Sequence, residues 1–137
     1  MTAGGAGFPR GARIRSASDF ARVFAARRSA AGDGLVVHVC RRADQRGPRL
    51  GLSVSRRVGD AVVRNRWKRR LREAFRAVVG HLAPDHDYCV VVRVAEVPRG
   101  AEGQAAVERC LVRLGRRATA RPERSGGDDG HRRRRRR

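Results

Sequence analysis

Apolar positions along the chain shift between a helical and a strand period, and each shift marks an element. Ser16-Ala17-Ser18-Asp19 reads as a capping box, a side-chain oxygen set to receive the free N–H groups of a first turn. The helix it opens is expected to run to about Arg28, with Phe20, Val23 and Phe24 on one face. Leu35 to Arg42 then alternates, Leu35, Val37 and Val39 pointing one way and Val36, His38 and Cys40 the other, which predicts a strand. After a turn at Asp44 to Pro48, Leu50, Leu52 and Val54 alternate with Gly51, Ser53 and Ser55. This second strand has one apolar face and one nearly bare face, across which another chain could approach closely. Gly59-Asp60 caps a long helix, Pro84 to Asp87 breaks it, Tyr88 to Ala95 is a third strand, and Ala101 to Arg117 returns to helical spacing through Ala105, Val107, Cys110, Leu111 and Leu114.

The long helix carries the strongest signal. At 100 degrees per residue, Val63, Trp67, Leu71, Ala74, Phe75, Val78 and Leu82 fall within one third of its circumference and face a core. The remainder holds Arg64, Arg66, Lys68, Arg69, Arg70, Arg72 and Arg76 against a single acid, Glu73. Like charges at helical spacing repel, and the Glu/Lys ladder that usually solvates a helix face is missing. An external anion is the expected partner.

Charge over the whole chain extends this picture. The net charge is +20, from 33 basic and 13 acidic residues, and Lys68 is the only lysine. Eight basic and three acidic residues lie after Ala120, so the remaining 25 and 10 still leave +15 on the part expected to fold. Such a field attracts polyanions with a steep salt dependence, and arginine adds planar, bidentate phosphate pairing. The length of 137 residues suits one domain, expected over 14–117, between a flexible N-terminus at 1–13 and a disordered, Gly-rich, arginine-ending tail at 118–137. No run of 18 apolar residues and no signal-like N-terminus is seen, so a cytoplasmic protein without a membrane partner is expected. Cys40, Cys89 and Cys110 are far apart in apolar surroundings and read as reduced core residues rather than metal or disulfide partners.

Chemistry in the chain itself is hard to find. The acids are scattered, no Ser/His/Asp grouping forms a motif and no phosphate-binding Gly-rich loop is present, so neither a small-molecule substrate nor a directly bound cofactor is expected. Phe20 and Phe24, spaced i and i+4, suit either a core or, with Val36 and His38 of the neighbouring strand, an open groove in which unpaired bases stack.

Arg64-Asn65-Arg66 with Lys68, Arg69, Arg72 and Phe75, preceded by Gly51-Leu52-Ser53-Val54-Ser55 and Val58-Gly59, resembles the signature of the protein subunit of bacterial ribonuclease P, and Phe20 and Phe24 fit that family's first helix. The resemblance spans about Ile14 to Gly115. It implies an α/β sandwich of the ribosomal protein S5 domain 2-like kind, in the order α-β-β-(β)-α-β-α, with antiparallel-type strand segments before the basic helix and a left-handed βαβ crossover around it. It implies further that the enzyme removes the 5′ leader of precursor tRNA, and that its RNA subunit, with Mg2+ bound through that RNA, is the catalyst. By the same resemblance Arg64, Asn65, Arg66, Lys68, Arg69 and Arg72 contact the RNA subunit, while Phe20, Phe24, Val36, His38, Arg56 and Arg57 border the groove for the leader. Three departures stand out: His38 occupies a position where many relatives have tyrosine, Trp67 replaces a more usual aliphatic residue, and the poly-arginine end has no clear counterpart. The alternative reading is a structural ribosomal protein or RNA chaperone. A DNA-binding module lacks a helix-turn-helix partner for the basic helix, and a stand-alone nuclease lacks acidic metal ligands.

Overall fold

The computed structural model describes residues 12–43 and 47–122. Three helices and four strands follow one another as α1 (Ala17–Ala25), β1 (Arg28–Gly32), β2 (Leu35–Arg41), β3 (Arg49–Ser53), α2 (Ala61–Val78), β4 (His86–Val92) and α3 (Gly100–Thr119), with a 3-10 turn at Val79–His81. The strands form one mixed sheet in the order β1-β2-β4-β3. β4 is inserted between β2, to which it runs antiparallel, and β3, to which it runs parallel. The parallel β3–β4 pair, joined through α2, is the βαβ unit implied by the resemblance, because a strand that returns by way of a helix re-enters the sheet in its original direction.

The sheet has two unequal faces. Val37 and Val39 of β2, Leu50 of β3 and Tyr88, Val90 and Val92 of β4 are buried beneath α2 and α3 in the main core. From α2 this core receives Trp67, Leu71, Ala74, Phe75 and Val78, as the helical spacing predicts, while Val63 at the end of the stripe is only partly buried. Trp67 is 1% exposed and its indole Nε1 donates to the Val94 carbonyl at 3.0 Å, so the unusual residue inside the basic motif secures the chain just after β4. Among the described residues, the opposite face is covered by α1 and the segment just before it, through a small cluster of Ile14, Val23, Ala26, Cys40 and Cys89 with Phe20 against it.

Both predicted caps form. The Ser16 hydroxyl accepts from the Asp19 N–H at 3.1 Å, and the Asp60 carboxylate accepts from the Val63 N–H at 3.0 Å. Four sequence expectations change. α1 ends at Ala25 rather than near Arg28, because Arg27 adopts φ 56, a left-handed conformation that stops the helix and starts β1. β1 contains Ser29-Ala30-Ala31, small residues without the branched signature of a strand, and it is held by pairing with β2 across the Asp33-Gly34 turn, where φ is 52 and 80. Two successive positive φ values make the tight hairpin connection that Asp-Gly favours. His86 and Asp87 belong to β4 rather than to the break before it, and β4 ends at Val92 rather than Ala95. The bare face of β3 is not open at Gly51, where a Cβ would lie 2.9 Å from the Phe20 ring and 3.1 Å from Ile14.

At the termini of the folded part, the Ile14 N–H donates to the Leu50 carbonyl at 2.9 Å, and α3 continues past the expected limit to Thr119, with Ala118 fully buried. The Asp44 to Pro48 turn is only partly described, and most of the expected flexible N-terminus and arginine tail lies outside the described residues. No helix among the described residues is long and apolar enough to cross a membrane.

Candidate nucleic-acid interface

α2 presents its cations along the face turned from the core. Asn65, Arg66 and Arg69 are exposed, and Arg64, Lys68, Arg70 and Arg72 are partly buried. Two of them meet uncharged partners: Arg64 Nε donates to the Gly59 carbonyl at 3.2 Å, and Arg70 Nη1 to Gln104 Oε1 at 2.8 Å. The ion pairs of the described residues involve Arg22, Arg41, Arg42, Arg49, His86 and Arg113, so none comes from α2. Partial burial, followed by the charge of nearby Arg13, lowers the pKa of Arg72. Both effects disfavour a bare cation, and an anion would relieve both.

Beside this face lies a cleft of about 500 Å³ between α2 and the segment leading into α3, with Arg66, Arg69 and Arg70 on one wall and Arg99 on the other. α3 opens there without a side-chain cap on its first turn. Glu73 and Glu96 also line the cleft, leaving the four arginines in excess. Arg99 was not singled out in the sequence, since only the fold brings residue 99 across from residue 66.

On the α1 side of the sheet, the predicted aromatic groove is assembled in part. Phe24 is 38% exposed, with its ring centroid 4.7 Å from that of His38 in an edge-on arrangement, and Phe20 and Phe24 are stacked at 6.3 Å. Phe20 sits over Gly51 and belongs largely to the fold, whereas Phe24 and His38 remain open to a ligand. Val36, half-buried, pairs with Ala31 and Val91 and continues this surface. Arg56 and Arg57 are both exposed in the turn after β3, and Arg57 shares a smaller cleft with Ser55, Val91 and Arg93. Burial first, and the charge of Arg93 second, lower the pKa of His38, so its ring is neutral at pH 7. Arg93 is a second residue that sequence reading missed. It lies four residues after Cys89, the β4 partner of His38, and strand alternation therefore directs it to the same face.

Next to the groove, Asp87 is fully buried among three arginines. Arg22 pairs with it at 2.5 Å and Arg49 at 2.7 Å, while Arg42 Nε stands at 3.5 Å. Arg49 also reaches Asp19 of α1 at 3.6 Å. This network ties α1, β3, β4 and the end of β2 together. The cysteines are all free and buried, and burial pushes the Cys89 thiol up to about 12, far from a reactive thiolate.

Comparison with known proteins agrees with this geometry. A family model described as Ribonuclease P matches residues 8–118. The ribonuclease P protein component of Geobacillus kaustophilus is 36% identical over 121 residues, covering 87% of this chain and 94% of its own. That of Shouchella clausii is 47% identical over 81 residues, 59% of this chain and 66% of its own. Among solved structures, the RNase P protein from Thermotoga maritima superposes with a TM-score of 0.64 at 30% identity, covering 76% of this chain and 96% of that one. The RNase P protein of Staphylococcus aureus gives 0.62 at 30% identity, covering 75% and 91%. With its mixed four-stranded sheet, its basic helix and a match running over nearly the whole folded part, the chain belongs to the ribonuclease P protein family.

Proposed function

We propose that this ribonuclease P protein component works in the cytoplasm by electrostatics and positioning, while the RNA subunit of the enzyme, with Mg2+ bound through that RNA, hydrolyses the phosphodiester bond. Arg64, Asn65, Arg66, Lys68, Arg69 and Arg72 of α2 grip the phosphates of the RNA subunit, with Arg99 closing on them from the far wall of the cleft. The single-stranded 5′ leader of precursor tRNA lies across the sheet beside α1. There Phe24 and neutral His38 offer ring surfaces for stacking, Val36 an apolar floor, and Arg56, Arg57 and Arg93 charge for the backbone. Phe20 supports this groove from beneath. Holding the leader favours precursor over mature tRNA, and shielding phosphate repulsion lowers the concentration of Mg2+ needed for the RNA to fold and act.

The observation that carries this reading is the row of seven cations on α2, none of them ion-paired to an acid of the described residues. Its test is cleavage of 5′-labelled precursor tRNA at low Mg2+ by ribonuclease P RNA alone, by the protein alone and by the two together. Cleavage restored only in the mixture is expected. Cleavage by the protein alone, or no rescue, would overturn the assignment.

A further inference from the structure

α3 carries a second basic surface that the α2 motif does not explain. Arg109, Arg113, Arg116 and Arg117 follow one another at helical spacing and are all exposed. Arg113 pairs with Asp33 at 2.9 Å, whereas Arg109, Arg116 and Arg117 form no ion pair with an acid of the described residues. They border an open depression of about 690 Å³ between the ends of α2 and α3, floored by Val78 and Val112, with His81 and Glu108 on its rim. Cations near a helix C-terminus are favoured by the helix dipole, which accounts for Arg116 and Arg117 in the last turn. That effect fades within a turn, so it does not reach Arg109.

We infer that this depression and the arginines of α3 form a second binding surface for the phosphate backbone of RNA, a separate segment from the one gripped by Arg66 and Arg69. The inference rests on the functional reading above. Along the α2 axis Val78 lies twelve residues beyond Arg66, about 18 Å at 1.5 Å per residue, so the two clefts stand at opposite ends of one helical layer. A long polyanion is the ligand that meets both. The floor of two valines is too small, and too poor in large apolar side chains, for a membrane-inserting face.

The test uses the full chain with Arg109→Gln, Arg116→Gln and Arg117→Gln combined, and measures binding to ribonuclease P RNA over a range of salt. Thermal melting checks that the variant folds. Affinity is expected to fall about tenfold or more at low salt. The slope of log affinity against log salt should become shallower by about 2, since each phosphate contact contributes roughly 0.7 to 0.9. The matching triple lysine variant should keep the slope. An unchanged slope in the glutamine variant, where wild type binds and Arg66→Ala/Arg69→Ala weakens binding, would overturn this surface alone. A loss confined to binding of phosphatidylserine vesicles would replace RNA as its occupant and likewise overturn it. If wild type itself fails to bind the RNA, the functional reading falls and this inference with it.

Discussion

Two arginine clusters in this molecule do opposite work. Around Asp87, Arg22, Arg42 and Arg49 converge on one buried carboxylate and join α1 to the sheet. On α2, seven cations share a helix with one glutamate and none forms an ion pair among the described residues. Arginine content therefore says little about role, and the placement of acids says much more. A carboxylate in the interior turns guanidinium groups into cross-links, while seven cations against a single acid on a surface helix leave charge available to a ligand.

The sharpest way to break the comparison is to remove the interior acid. Asp87→Ala leaves three arginines facing one another without compensation and is expected to cost about 3 to 5 kcal/mol, read by urea denaturation. A loss below about 1 kcal/mol would mean that these arginines are solvated like those of α2. The reverse experiment is Arg66→Ala with Arg69→Ala, both exposed. Stability should hold or rise slightly as repulsion is relieved, while affinity for ribonuclease P RNA falls about tenfold per arginine and the Mg2+ requirement rises. Equal loss of stability and affinity would erase the distinction.

A finer contrast concerns the two phenylalanines of α1. Phe24→Ala is expected to weaken precursor binding by about 1 to 3 kcal/mol, the usual worth of one stacked base, with little change in melting. Phe20→Ala should chiefly destabilise the fold, because its ring fills the space over Gly51. The two variants separate through paired measurement of melting and precursor affinity.

The smallest effect expected is electrostatic. His38 has a folded pKa lowered by burial and by Arg93. The unfolded chain therefore takes up the proton more readily, and the stability due to the neutral ring is complete above the unfolded value of about 6.5 and lost as pH falls through the folded one. In an NMR titration, His38 should have its midpoint below about 6.5, and Arg93→Ala should move it upward by removing the like charge. No movement would exclude Arg93 from the groove.

Much of the interface was legible from spacing alone. The α2 stripe from Trp67 to Val78 is buried as the helical period requires, whereas Leu82, expected on the same stripe, is buried beyond the end of the helix; Ser16 and Asp60 cap as their residue types suggest. What escaped depended on partners distant in the chain. Ser29-Ala30-Ala31 has no strand signature of its own and becomes β1 only by pairing with β2. Asp87 looks like part of a break until three arginines from elsewhere in the chain surround it. Arg93 and Arg99 carry no motif, and only β4 and the start of α3 bring them to the two sites.

Sequence by itself determined the local grammar of this protein: where helices begin, which face of α2 is apolar, and that its other face sets seven cations against one acid. Those properties depend on residues within a few positions of one another, which the periods of helix and strand relate directly. Tertiary structure alone decided that β4 enters between β2 and β3, that Phe20 closes over Gly51 while Phe24 stays open, and which arginines meet a carboxylate. Each of these is a contact between distant segments, settled by how the layers pack and by where a buried charge finds compensation.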